Sequence, residues 1–313
     1  MGNIEYSRGN VGEVLVDTWQ IKREDEDRDG VSPIALITGI GAKPSPQRGI
    51  EQCITEYEKP LGICPDEFRD RISRLSYFGS FPYDLALKTG QPVHVLWQTP
   101  ESSGELVPKY TSRSLASMVE ALDTLSIESG RELLLASHSY GAFAHAKILE
   151  REHMGNFLPG VMIAPMTNTK DVVSNLGIFS KPVMEFYKLI SQVSFPLFNI
   201  TSLDYFHGSR YDKAKSKHQA QNHLINSASA RLLLKLNLED VEINPNNIPT
   251  LVITTQDRLI SYEVQKNLAR KLEANNHEIS AGHRIFTDRD AADRLLEVIL
   301  ELDREQIEKY GGK

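Results

Sequence analysis

Cysteine is scarce in this 313-residue chain, which holds only Cys53 and Cys64. Two thiols in so long a chain exclude a small disulfide-stapled fold and are expected to stay reduced. Long apolar runs are missing too: no stretch approaches the ~20 residues a membrane helix needs, so no transmembrane segment is expected. The opening Met1-Gly2-Asn3-Ile4-Glu5-Tyr6 has neither a basic start nor an apolar core. That predicts no signal peptide and a cytoplasmic location. Basic residues are outnumbered, and a formal net charge of −7 argues against a nucleic-acid partner, which wants clustered Lys and Arg. Repeats and low-complexity segments are absent. The densest charge run, from Lys22 to Asp29, mixes both signs and ends at Asp29-Gly30, which predicts a solvated hairpin loop.

What is present is the composition of an ordinary globular chain, 40% hydrophobic and 25% charged, long enough for one large core or a core with an inserted subdomain. The start reads as two strands. Gly12–Ile21 is rich in β-branched and aromatic residues, and Arg8-Gly9-Asn10 before it reads as the hairpin turn. Five continuous apolar runs follow, at Pro33–Thr38, Pro92–Trp97, Glu132–Ala136, Gly160–Ala164 and Thr250–Thr255. Runs without alternation suit strands buried on both faces. His277–Ser280 reads as a last short strand.

Helical patterns separate these strands. Leu115, Met118, Val119, Leu122 and Leu125 share one helix face, which Gly130 can terminate. Ala142–Leu149 has high helix propensity. Val264, Leu268 and Leu272 mark another helix, and a capped one starts at Thr287-Asp288-Arg289-Asp290 and runs past Leu302. Strands alternating with helices imply a mostly parallel central sheet flanked by helices. Two stretches break the alternation. Residues 42–75 form a connection too long for an ordinary strand-to-helix loop. Residues 167–247 lack a buried strand and carry Phe179, Met184, Phe186, Tyr187, Phe195, Phe198, Tyr205 and Phe206 instead. That stretch is expected to be a mainly helical cap over the carboxyl end of the sheet, dividing the core into 1–166 and 248–313.

Ser137-His138-Ser139-Tyr140-Gly141 falls between the buried strand Leu133–Ala136 and the helix from Ala142. A serine on such a strand-to-helix turn projects its hydroxyl above the sheet, and small residues at 137 and 141 let the turn close. A serine hydroxyl needs a base, and the base needs a carboxylate to orient it. Asp257 follows the strand Thr250–Thr255 and would project from the sheet edge that carries Ser139; Asp171 is the rival acid. Among nine histidines, His283 is the expected base, since it follows the last strand and precedes the capped helix. His277 is the competitor, at the wrong end of its strand. His138 is expected to support the elbow or pack locally. An oxyanion hole would take backbone N–H groups from Tyr140, after the nucleophile, and from Ile40 in the Gly39-Ile40-Gly41 turn. That turn does not read as a phosphate loop, because no Lys-Ser pair or third glycine follows at the needed spacing. No metal-ligand spacing is present, and no cofactor is expected.

Together these residues resemble the α/β-hydrolase superfamily, and within it the monoacylglycerol lipase, lysophospholipase and serine-aminopeptidase-like branch. Thr38-Gly39-Ile40-Gly41 is similar to that branch's His-Gly-x-Gly turn, and residues 137–141 match its elbow. His223–Leu233 is similar to its segment leading from cap to core, and Asp257 and Gly282-His283 fall where its acid and base occur. Thr38 stands where histidine is usual and Ser137 where glycine is usual. The resemblance implies an α/β-hydrolase fold with a cap and a serine hydrolase, and the apolar content of the expected cap suggests that its small-molecule substrate is a hydrophobic or amphipathic carboxylic ester. Thioester hydrolysis or acyl transfer by the same triad is an alternative, and a non-catalytic ligand sensor on this fold is another.

Overall fold

The computed structural model describes residues 3–22, 32–39, 42, 44–59, 62–97, 112–168, 182, 185, 188–189, 196–198, 224–226 and 234–310. Eight strands form one sheet, in the spatial order β1-β2-β4-β3-β5-β6-β9-β10. They are β1 (Asn3–Val11), β2 (Val14–Lys22), β3 (Ile34–Ile37), β4 (Val93–Trp97), β5 (Leu133–His138), β6 (Phe157–Ile163), β9 (Thr250–Thr254) and β10 (Asn276–Ile279). From β4 to β10 every pairing is parallel, and β1 and β2 add an antiparallel edge. The five apolar runs expected to be buried strands are β3, β4, β5, β6 and β9. Successive residues in them point to opposite sides, and both sides are covered. Ile34 and Leu36 enter one apolar layer, Ala35 and Ile37 the other, and all four are fully buried.

The first layer is built by α1 (Gln47–Tyr57), α2 (Pro65–Leu75), α3 (Phe81–Thr89) and α7 (Arg289–Tyr310), through Ile50, Phe68, Phe81 and Leu295. The second is built by α4 (Ser112–Ser129), α5 (Ala142–Leu149) and α6 (Tyr262–Lys271), through Met118, Leu122, Phe143 and Leu268. Each such side chain, once fully buried, stabilises the fold by roughly 1.5–3 kcal/mol. The last helix is capped by Asp288, whose carboxylate accepts from the Ala291 N–H at 3.2 Å, while the Thr287 hydroxyl donates to the Arg284 carbonyl at 2.8 Å.

One expectation is corrected. The first hairpin turns at Gly12-Glu13, not at Arg8-Gly9-Asn10: β1 runs on to Val11, which pairs with Val14. Gly12 takes φ +59°, as a two-residue hairpin turn requires. The connection at 42–75, too long for an ordinary loop, carries secondary structure of its own. It holds α1 and α2, whose apolar residues Ile50, Cys53 and Ile54, and Phe68 and Ile72, recur at helical spacing and are buried.

The charge run at 23–29 lies outside the described residues, as do Phe179, Met184, Phe186, Tyr187, Phe195, Tyr205 and Phe206 of the expected cap. Within 167–247 the described residues include an antiparallel ribbon of two short strands, β7 (Pro196–Phe198) and β8 (Leu224–Asn226). They also include helical positions at 182, 185, 188 and 189. Asn168 pairs with Asn237, and the Leu238 N–H donates to the Thr167 carbonyl at 2.7 Å, so the segment leaves and rejoins the core at one point. Beyond it, Leu238 is fully buried against the second layer.

The chain runs from β3 to β4 on one side and then returns to place β5 on the other side of β3. In a parallel sheet such a reversal leaves a crevice at the carboxyl ends of the two strands, because their connections depart in opposite directions. The β3 and β5 exits lead to Gly39 and Ser139.

Candidate active site

Ser139 occupies a single 3₁₀ turn, Ser139–Gly141, between the end of β5 and the start of α5. Its φ is +54°, a left-handed conformation costly for any residue with a Cβ, at roughly 1–3 kcal/mol. The surrounding packing enforces it. A side chain at Gly141 would put its Cβ 2.7 Å from the Ile37 carbonyl oxygen, so only glycine lets the elbow lie against β3. The Ser139 carbonyl in turn accepts from the Met166 N–H at 3.1 Å, tying the elbow to the exit of β6.

His283, on the loop between β10 and α7, reaches the serine from a sequence distance of 144 residues. Its Nε2 accepts from the Ser139 hydroxyl at 2.9 Å, and its Nδ1–H donates to Asp257 Oδ2 at 2.8 Å. The carboxylate partner fixes the proton on Nδ1, leaving Nε2 with the free lone pair that faces the serine. Both side chains are almost wholly removed from solvent, at 2% exposure for His283 and 0% for Asp257.

A buried carboxylate is stable only when its oxygens are satisfied. Asp257 Oδ1 accepts from the N–H groups of Leu259 and Ile260 at 2.8 and 2.9 Å. Oδ2 accepts from the Thr254 hydroxyl at 3.0 Å and the Gln265 amide at 3.4 Å, besides the imidazole. Gln265 is itself fully buried, and its amide also donates to the Ile260 carbonyl at 2.8 Å, closing the turn that carries Asp257. Thr254 and Gln265 escape sequence reading, since nothing local to either signals a carboxylate partner. Their places were legible only as the last residue of a strand and an inward position on the next helix.

His277, the competing base, lies exposed on the edge strand. Asp171, the rival acid, and Ile40, the expected oxyanion donor, lie outside the described residues. Gly39, one residue before Ile40, packs against the elbow: a Cβ there would stand 3.1 Å from the Ser139 Cβ. Tyr140 is buried and packs its ring on Phe143 at 5.5 Å.

His138 is fully buried beside the serine, with its Nε2 2.8 Å from the His283 carbonyl oxygen and its Nδ1 2.8 Å from the Tyr77 hydroxyl. Ser137, at the first small position of the elbow, is also fully buried and donates its hydroxyl to His145 Nδ1 at 2.9 Å. Among the described residues, no group of three metal-ligating side chains is gathered, and no helix is long and apolar enough to cross a membrane.

No family model matches the sequence, and no curated protein does. Solved structures do match in three dimensions. A soluble variant of monoglyceride lipase from Saccharomyces cerevisiae, in complex with a substrate analog, superposes with a TM-score of 0.65 at 12% identity, covering 97% of this chain and 96% of that one. The monoacylglycerol lipase of Paleococcus ferrophilus gives 0.55 at 15% identity, over 88% and 96%. The thioesterase domain from the curacin biosynthetic pathway gives 0.53 at 16% identity, over 95% and 99%. With the eight-stranded, mostly parallel sheet and its covering helices, these likenesses establish that the chain has the α/β-hydrolase fold.

Proposed function

We propose that the protein is a serine hydrolase that cleaves a carboxylic ester, with Ser139 as nucleophile, His283 as base and Asp257 as its orienting acid. The observation that carries this reading is the continuous line of hydrogen bonds from the Ser139 hydroxyl through His283 to Asp257, at 2.9 and 2.8 Å. Such a line, on a strained elbow at the switch point of a parallel sheet, is the arrangement that acyl transfer needs.

In this mechanism His283 Nε2 takes the Ser139 proton as Oγ attacks the carbonyl carbon. The tetrahedral oxyanion is held by the N–H groups of Ile40 and Tyr140. As the carbon–oxygen bond to the alcohol breaks, the imidazolium returns its proton to the departing oxygen. Water then attacks the acyl-serine, losing a proton to His283, and the carboxylic acid leaves as Oγ recovers that proton. Asp257 keeps the imidazole in its Nδ1–H form and stabilises the positive charge in both halves of the cycle.

The substrate we assign is a small molecule with a hydrophobic or amphipathic acyl group, taken up beneath a cap formed by residues 167–247 between the core segments 1–166 and 248–313. The aromatic and apolar content of that segment supports the assignment. A cytoplasmic setting accords with Cys53 and Cys64 as free thiols.

A fluorophosphonate probe tests the reading. The native protein is expected to label, and Ser139→Ala to lose the label while keeping its melting temperature. Absence of labelling in a folded, monodisperse sample would overturn it. A series of p-nitrophenyl esters and matching thioesters of increasing chain length then reads the acyl group. A maximum at acetyl would contradict the lipid-like substrate, and a preference for thioesters would favour a thioesterase.

A further inference from the structure

Tyr77 lies two residues beyond the end of α2, the second helix of the long connection between β3 and β4. Its ring is buried, edge-on to Phe78 with the centroids 5.0 Å apart. Burial pushes its phenol above the ordinary range, so the hydroxyl keeps its proton. That hydroxyl is 2.8 Å from His138 Nδ1. On the far side of the same imidazole, Nε2 is 2.8 Å from the carbonyl oxygen of His283.

The proton positions follow from the partners. A carbonyl oxygen can only accept, so His138 Nε2 carries hydrogen. In the neutral ring Nδ1 is then an acceptor, and the Tyr77 hydroxyl donates to it. Arg284, next to His283 in the chain, donates from Nη2 to the Tyr77 carbonyl at 2.8 Å, and its guanidinium lies 4.7 Å from the Tyr77 ring centroid. Arg284 to Tyr77, Tyr77 to His138 and His138 to His283 therefore form a closed ring of three hydrogen bonds. It ties the end of α2 to the elbow and to the loop carrying the base.

The ring also borders the glycine turn after β3. A Cβ on Gly39 would stand 3.0 Å from the Tyr77 hydroxyl and 3.4 Å from His138 Nδ1. The base loop is held on its β9 side by the Gln256 N–H, which donates to the Ala281 carbonyl at 3.0 Å. His138 bonds the carbonyl of His283 itself, the residue whose Nε2 faces Ser139.

We propose that Tyr77 and His138 are positioning residues of the active site, holding the His283 backbone so that its imidazole stays at hydrogen-bond distance from the Ser139 hydroxyl. Neither touches the reacting atoms in this reading. They act through His283, and the proposal rests on the assignment of Ser139 and His283 made above. It also gives the long connection a function, which is to deliver the Tyr77 hydroxyl to the elbow.

The test compares Tyr77→Phe, His138→Gln, His138→Asn and His138→Leu by the kcat and KM of p-nitrophenyl butyrate hydrolysis and by the rate of fluorophosphonate labelling. A base displaced by a fraction of an ångström loses reactivity more than binding, and a displacement of about 1 Å costs on the order of 100-fold. Tyr77→Phe keeps the ring and removes only the donor. It is expected to lower kcat and the labelling rate about tenfold, with KM within about twofold. His138→Leu is expected to lose on the order of 100-fold in kcat.

Glutamine can carry an amide N–H to the place of the imidazole Nε2, whereas the shorter asparagine ends at the place of Nδ1. His138→Gln is thus expected to recover most of the lost kcat, and His138→Asn to remain near His138→Leu. A role confined to packing would separate the two amides in melting temperature through the cavity the shorter asparagine leaves, and would leave the kcat of both folded variants alike. Equal activity of Gln and Asn variants, or a kcat for Tyr77→Phe equal to that of the native protein, would overturn the proposal. Should the His138 variants fail to fold, Tyr77→Phe alone decides it. A native protein that labels while Tyr77→Phe labels at the same rate refutes only the positioning role. A native protein that does not label refutes the hydrolase reading, and this proposal with it.

Discussion

The Ser137 hydroxyl donates to His145 Nδ1 at 2.9 Å, across the elbow from the end of β5 to the first turns of α5. The other ring nitrogen donates to the Pro159 carbonyl on β6 at 2.7 Å, so one neutral histidine joins three elements. The serine that replaces the usual elbow glycine is therefore held by a specific partner. Ser137→Gly is expected to destabilise the protein by about 1–3 kcal/mol in urea unfolding, because the buried Nδ1 loses this donor. An unchanged or raised midpoint would show that the bond adds nothing.

The same histidine makes stability depend on pH. Burial lowers the His145 pKa to about 4 from its ordinary 6.5, against the opposing bond to Pro159. Between those values the unfolded chain binds the proton more tightly, so stability is complete above pH 6.5 and drains away as pH falls toward 4. His94, pushed to about 4 by burial, acts in the same direction. Asp303 opposes them: burial raises its carboxyl to about 6, so acid below that value favours its folded form. Comparison with His145→Gln isolates one group. Between pH 7 and pH 5 the native protein should lose about 2 kcal/mol more than the variant. Parallel pH profiles would contradict this.

Gly39→Ala should separate activity from stability. The added methyl would stand 3.1 Å from the Ser139 Cβ and 3.0 Å from the Tyr77 hydroxyl. It presses on Ser139 and on Tyr77, while the strand before it is untouched. Fluorophosphonate labelling is expected to slow by tenfold or more, on the order of the penalty for a misplaced group, with only a small change in melting temperature. A variant that labels at the native rate would show that this contact relaxes without moving Ser139.

Asp257→Asn tests the tautomer argument. An amide can keep the bonds from Leu259 and Ile260 through its oxygen, but it turns a donor toward Thr254 and His283. The imidazole would then hold its proton on Nε2, the wrong nitrogen for a base. Turnover of p-nitrophenyl esters is expected to fall by about 10³–10⁴-fold with the fold retained. A loss below tenfold would remove Asp257 from the proposed role.

Much of this protein is local and could be read without coordinates. Strands β3, β4, β5, β6 and β9 are apolar runs whose neighbours alone mark them as buried on both faces. Helix α5 follows from propensity, and the elbow from a strand meeting a helix at Ser139. Where local signals compete, the sequence decides less. Gly9 and Gly12 could each close the first hairpin, and it is the pairing of Val11 with Val14 that selects Gly12. Helices α1 and α2 bury only three and two apolar residues, a faint pattern beside the runs that flank them.

The chemistry of the site is different in kind. Sequence order pointed to Ser139, Asp257 and His283, but nothing in it sets the 2.9 Å between the serine and the imidazole. That distance depends on strand order, with β5 placed beside β3 and β9 beyond β6. It depends also on the partners that the sheet brings together, Thr254 and Gln265 at the Asp257 carboxylate and Tyr77 and His138 beside the His283 backbone. Periodicity and turn chemistry act over a few residues, so the sequence by itself determined the five buried strands and where the elbow falls. Contacts spanning 61 and 145 residues, as at Tyr77–His138 and His138–His283, arise only when the whole core has packed. Tertiary structure alone therefore decided how Ser139, His283 and Asp257 are held.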